Sequence, residues 1–260
     1  MAVSLVDIYD EGAPIYDAIW ASALRPVTER VVARLPLADR RCVLDLASGV
    51  GTLLPVLARA APGARVVAVD RSAGMMRLRP PPFPAVQTDL QRLGLRDGVG
   101  DAALLAFALF HLPDPERGLL EVARVLAPDG VAAVVVWAAR DADPLMDALW
   151  VAALDAHGAP AIDPPERHDE LMDTPEKITQ LLTRAGFASV DAWHDAIEWR
   201  PSIEDFVTYR SQMGVFGLRF AGMSAAAQRA FLDDVMSQLS ALTADERVDR
   251  TPVVCAIAHR

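Results

Sequence analysis

Val43-Leu44-Asp45-Leu46-Ala47-Ser48-Gly49-Val50-Gly51 decides how this chain is read. A short apolar run carries an acid, a glycine-bearing turn follows, and 19 residues beyond Gly51 a second apolar run ends in Asp70. Glycines let a strand-to-helix turn bring bare main chain against a ligand. A carboxylate at the end of the next strand is placed to accept hydrogen bonds from ribose hydroxyls. Residues 52–59 between the two runs have helical spacing, so 41–70 predicts a βαβ unit.

Working outward, residues 72–78 begin a second helix that Arg79-Pro80-Pro81-Pro82-Phe83-Pro84 stops early, because proline removes donors and biases its predecessor away from helix. Residues 85–88 predict a third strand. Residues 101–110 form a nearly uninterrupted apolar run, as expected of a central strand covered on both faces. Pro113-Asp114-Pro115-Glu116 opens a helix, and Pro128-Asp129-Gly130 turns the chain into a strand at 131–137. Thr174-Pro175-Glu176-Lys177 caps a further helix that Gly186 ends, and 190–199 and 251–259 read as the last two strands. The alternation predicts an α/β fold. Residues 141–173 and 201–250 stand outside it and are assigned as insertions that close over the ligand crevice.

At 260 residues, 52% hydrophobic and 23% charged, the chain suits one elaborated domain over 1–260. No uncharged stretch approaches the roughly 20 apolar residues a bilayer requires, and no basic region precedes an apolar segment at the start. The expectation is a cytoplasmic protein without membrane partners. A net charge of −10, with Lys177 the only lysine, opposes a phosphate backbone, so no nucleic-acid partner is expected. Cys42 and Cys255 lie in predicted strands as small apolar side chains, and His157, His168 and His194 lack ligand spacing, so no metal is expected.

Three further stretches share one pattern with the opening motif: Val66-Val67-Ala68-Val69-Asp70, Gln87-Thr88-Asp89-Leu90, and Ala106-Phe107-Ala108-Leu109-Phe110-His111-Leu112 with Glu121 to Gly130 behind it. Together they resemble the class I S-adenosylmethionine-dependent methyltransferases, in the small-molecule branch of the quinone-biosynthesis enzymes. The resemblance covers roughly residues 9–137 and, more loosely, the helix and strands after Thr174. It implies a Rossmann-like, seven-stranded, mostly parallel sheet with helices on both faces and an antiparallel last strand. N-terminal lid helices within 1–40 belong to that picture, and the helical cap insertions at 141–173 and 201–250 lie outside the resemblance.

The same resemblance implies S-adenosyl-L-methionine as cofactor, S-adenosyl-L-homocysteine as product and a small-molecule acceptor, with the chain a monomer or homodimer. Cofactor contacts fall on Asp45, Ala47, Ser48, Gly49 and Gly51 of the first motif, and on Asp70, Arg71 and Met75 of the second. Asp89 and Leu90 would hold the adenine, Ala106 and Phe107 the methionine part, and Tyr16 would fold over both. Ala47 replaces the first of the family's three alternating glycines, which a methyl group permits only if that position needs no positive φ. His111 is the candidate for a general base. Trp20, Phe110, Trp137 and Tyr209 are candidates for an apolar or aromatic acceptor, transfer being to oxygen, nitrogen or carbon. Two alternatives remain at this level. The glycine turn with Asp70 also suits a nicotinamide-dependent oxidoreductase, although Leu54 stands where its third glycine belongs. The other is a methyltransferase fold that binds cofactor without transferring methyl.

Overall fold

A computed structural model describes residues 4–260. Seven strands form one sheet: β1 (Cys42–Leu46), β2 (Arg65–Asp70), β3 (Ala85–Gln87), β4 (Gly100–Ala106), β5 (Leu126–Trp137), β6 (Ser189–Trp199) and β7 (Asp249–His259). Their spatial order is β3-β2-β1-β4-β5-β7-β6, and β7 runs antiparallel to both of its neighbours. The strand number, the mostly parallel direction and the antiparallel last strand are those the resemblance implied.

Alternation along the strands divides the core between two faces. Val43, Ala102 and Leu104 look one way, toward Leu24, Val27 and Val31 of α2 (Ala21–Arg34) and toward Leu54 and Leu57 of α3 (Leu54–Ala60). Leu44, Ala103 and Leu105 look the other way, toward Leu119 and Val122 of α5 (Pro115–Val125) and Leu181 and Leu182 of α7 (Pro175–Arg184). Thr174 caps α7 by accepting from the Lys177 N–H, as the sequence signal required.

Ahead of β1, α1 (Leu5–Ile15) runs into α2 through one wide π turn at Tyr16–Trp20. The first insertion contributes α6 (Leu145–Ala156). The second contributes α8 (Ile203–Gln212), α9 (Gly214–Ala221) and α10 (Ala225–Ala241). Trp150, Phe206 and Phe231 from these helices join the same apolar cluster as α2, so the insertions extend the core on that face. The short α4 (Ala73–Leu78) ends before the proline run, and no helix among the described residues is long and apolar enough to cross a membrane.

One boundary differs instructively from the sequence reading. The strand expected over 101–110 ends at Ala106, because Phe107 turns to φ +57° and residues 109–111 form a 3-10 turn. An apolar run cannot by itself distinguish a buried strand from a buried turn. Here the turn exposes main chain at the carboxyl edge of the sheet.

Candidate active site

The loop after β1 takes left-handed backbone at alternate residues: φ is +55° at Ala47, +55° at Gly49 and +80° at Gly51. Position 47 therefore does need positive φ, and the condition under which a methyl group would be harmless is not met. An L-residue held there costs about 1–2 kcal/mol. A Cβ on Gly51 would lie 2.7 Å from Leu54 Cδ1 and 3.0 Å from Pro80 Cδ. Gly51 thus permits helix packing and lines none of the clefts described below, contrary to the contact expected of it. Gly49 has open space where its Cβ would stand, and its N–H donates to Asp70 Oδ2 at 2.8 Å. The Ser72 N–H donates to the other oxygen, Oδ1, at 2.8 Å. Burial raises the Asp70 carboxyl above its usual range, and these two amide donors oppose the shift.

Around this carboxylate runs a mainly apolar cleft whose floor includes Ala47, Gly49, Arg71, Met75 and Leu90. Ala106 and Phe107 close one end, and Leu5, Val6 and Tyr9 of α1 cover it. Asp89 does not join them. It is exposed, and its Oδ1 accepts from the Gln91 N–H at 2.8 Å in a local turn, while Thr88 and Leu90 face the cleft. An Asx turn satisfies that side chain with its own backbone, which the motif spacing alone does not reveal.

Beneath Tyr16 a smaller recess, also lined by Gly49 and Phe107, reaches Asp45 and Ser48. Asp45 Oδ2 and Ser48 Oγ are buried without a hydrogen-bond partner. Burial pushes the Asp45 carboxyl up to about 8, and the neighbouring Asp70 charge adds to the shift. Unpartnered buried polar atoms of this kind are uncommon and costly unless a ligand meets them.

The cover is held by one side chain. Asp10 Oδ1 accepts from the Gly74 N–H at 2.9 Å and from the Ser72 hydroxyl, and the Ser72 oxygen in turn accepts from the Met75 N–H at 3.1 Å. Those bonds hold the Asp10 carboxyl below its usual range, the Ser72 bond most. Only a glycine at 74 permits the approach, since a Cβ there would fall 2.6 Å from Asp10 Cα.

A second cavity of about 550 Å³ opens from the first. Tyr9, Tyr16, Phe107 and His111 line both, so they form the shared wall. Trp20, Phe110, Trp137 and Tyr209, the four aromatic candidates, all line the second cavity, with Trp20 stacked on Tyr209 at 5.4 Å. Its deep polar end comes from residues the sequence reading did not single out. Asp147 of α6 meets Arg210 of α8 at 2.6 Å, both side chains about 15% exposed, and Asp249 at the start of β7 accepts from the Thr251 hydroxyl at 2.5 Å. Burial pushes the Asp147 and Asp249 carboxyls up, and Arg210 counters it in both. Asp147 and Arg210 are 63 residues apart, with no spacing to connect them. The only available signal for Asp249 was its place two residues ahead of the predicted strand, on the same face as Thr251.

His111 completes the shared wall. Its Nε2 lies 3.2 Å from the Tyr9 hydroxyl, its Nδ1 is buried without a partner, and burial, aided by the Arg167 charge, lowers its pKa to about 3. The imidazole is neutral at physiological pH.

Comparison with known proteins agrees with this geometry. Residues 44–134 match the methyltransferase domain family. Malonyl-acyl-carrier-protein O-methyltransferase of Geobacter sulfurreducens is 30% identical over 215 residues, covering 79% of this chain and 78% of its own length. Demethylmenaquinone methyltransferase of Clavibacter sepedonicus is 32% identical over 190 residues, 67% of this chain and 74% of that one. Among solved structures, a putative methyltransferase from an antibiotic biosynthesis pathway of Anabaena variabilis superposes with a TM-score of 0.60 at 17% identity, covering 90% of this chain and 98% of its own. The cyclase SpnF superposes at 0.59 with 16% identity, covering 99% and 97%. The architecture alone therefore does not name a reaction, and the sequence kinship does. The chain belongs to the class I S-adenosylmethionine-dependent methyltransferases and resembles those that methylate demethylmenaquinone.

Proposed function

We propose that the enzyme binds S-adenosylmethionine in the cleft around Asp70 and transfers its methyl group to a small, aromatic-bodied acceptor held in the adjoining cavity. The observation that carries this reading is the shared wall, Tyr9, Tyr16, Phe107 and His111, through which the two spaces meet. The residues present suit the cofactor. Asp70 retains acceptor capacity beyond its two backbone bonds for ribose hydroxyls, Met75 and Leu90 supply flat apolar contact for a base, and unpartnered Asp45 and Ser48 suit an amino acid end.

When bound, that cofactor supplies an already activated sulfonium methyl. The chain's task is then to position a nucleophile and exclude water. Tyr9, Tyr16 and Phe107 present an apolar junction for that purpose. His111, with its pKa lowered to about 3, is poorly matched to accept a proton at neutral pH and is better suited to orienting the acceptor by hydrogen bonding. Transfer to a group that is already nucleophilic, such as a phenolate, carboxylate or free amine, needs no stronger base.

Calorimetric titration tests the cofactor half. S-adenosylhomocysteine should bind and NAD should not, whereas the reverse would restore the oxidoreductase alternative. Incubation with methyl-labelled cofactor and a metabolite pool tests the transfer half. Cofactor binding without label transfer across a broad pool would favour a binding protein instead.

A further inference from the structure

The deep end of the acceptor cavity is electrically unbalanced. At the rim, Arg167 pairs with Asp169 and Arg140 with Asp143, each guanidinium matched by one carboxylate. Deeper in, the largely buried guanidinium of Arg210 is engaged by Asp147. Asp249 is 9% exposed and receives only the Thr251 hydroxyl among side-chain donors; Arg210 and Arg140 act on it from a distance, and among the described residues no arginine lies within ion-pair distance of it. Two largely buried carboxylates thus face one largely buried guanidinium, with Arg140 farther out and already paired to Asp143, and the walls between this end and the reaction junction are the ring systems of Trp20, Trp137 and Tyr209.

We infer that the acceptor is an amphipathic amine, with a flat apolar body between these rings and a protonated amino group seated against Asp249. The inference rests on the proposed methyl transfer. An ammonium would supply the charge that Asp249 lacks, through a charge-assisted hydrogen bond in a desolvated setting. The surrounding aromatic surfaces favour a cation as well, each contact contributing through the ring quadrupole. A carboxylate-bearing acceptor would place a third anion beside two, and a neutral one would leave Asp249 unmatched.

Strand direction explains why the acid is there. In a wholly parallel sheet, only strand ends reach the ligand edge, whereas β7 runs antiparallel to β5 and delivers its first residues, Asp249 and Thr251, to the edge where Trp137 ends β5.

Three matched indoles test the proposal: tryptamine, 3-ethylindole and indole-3-propionate, titrated into the protein saturated with S-adenosylhomocysteine. Tryptamine should bind at least tenfold more tightly than either analogue, and Asp249→Asn, which keeps the side-chain shape, should abolish that preference. Equal or tighter binding of the neutral or anionic indole overturns the proposal. So does an unchanged ranking in Asp249→Asn, or failure of all three to bind a protein that binds S-adenosylhomocysteine. The comparison within the unaltered protein stands even if the variant does not fold. Absence of S-adenosylhomocysteine binding would instead strike the cofactor assignment.

Discussion

Tyr9 on the covering helix and His111 at the exit of β4 are 102 residues apart in sequence and 3.2 Å apart in space, Oη to Nε2. Burial raises the Tyr9 phenol to about 12 and lowers the His111 imidazole to about 3, so two neutral groups share this bond. It joins the cover to the wall between the cavities.

Replacing Tyr9 with Phe should therefore lower kcat/KM for methyl transfer by about tenfold, the loss of one buried hydrogen bond at the junction. Steady-state kinetics checks this. The kcat/KM profile should show no limb near the ordinary histidine value of 6.5. On stability the sign is fixed by the depressed pKa. Below 6.5 the unfolded chain takes a proton that the buried ring refuses, so stability is lost as pH falls from 6.5 toward 3. Thermal denaturation of His111→Gln across that window should show a shallower loss.

Asp45 gives the opposite slope. Its folded pKa of about 8 exceeds its ordinary 3.8, so folding retains a proton that the unfolded chain releases, and stability declines as pH rises through that interval. Asp45→Asn should raise the melting temperature of the cofactor-free protein at pH 8 and leave it nearly unchanged at pH 4. The same variant should bind S-adenosylmethionine about tenfold more weakly, measurable by titration.

Ala47→Gly should stabilise the protein. Relief of left-handed strain of about 1–2 kcal/mol is offset by the extra chain entropy of glycine, about 0.5–1 kcal/mol, leaving a net gain of about 0–1.5 kcal/mol. A melting temperature raised by about 2–4 °C is the expected reading, and a fall would contradict the assigned backbone.

Gly74→Ala should push α1 away from α4, because the added carbon meets Asp10 main chain at a site where both backbones are in contact. Cofactor affinity should fall at least tenfold, and amide hydrogens of residues 5–15 should exchange faster. Asp10→Asn, which keeps the shape but weakens the acceptor for Ser72 and Gly74, should show the same effects more mildly.

Much of this architecture could be read from the chain because local signals and burial agreed. The strand ending in Asp70, the Thr174 cap and the proline stop after Leu78 each carry a local cause, and each is where the sequence placed it. The same locality explains the misreadings. The run is apolar from Ala102 to Phe110, so nothing in it marks Ala106 as the end of the strand. Asp89 had the family's position, yet its carboxylate accepts from the Gln91 amide in a local turn and stands exposed outside the cleft lining. Asp147, Arg210 and Asp249 meet only after three elements pack together, and no spacing rule encodes such a meeting.

The wide turn at Tyr16–Trp20 carries a last implication. Helix continues on both sides of it, so the cover and α2 form one jointed rod rather than a flap on a loose tether. Tyr9 and Tyr16 touch both spaces and Trp20 touches the acceptor cavity, which makes bending at that joint a single event for the two ligands. Occupancy of the cofactor cleft should then set the shape of the acceptor cavity, an order of loading that would appear as strictly sequential kinetics, cofactor first and demethylated cofactor last.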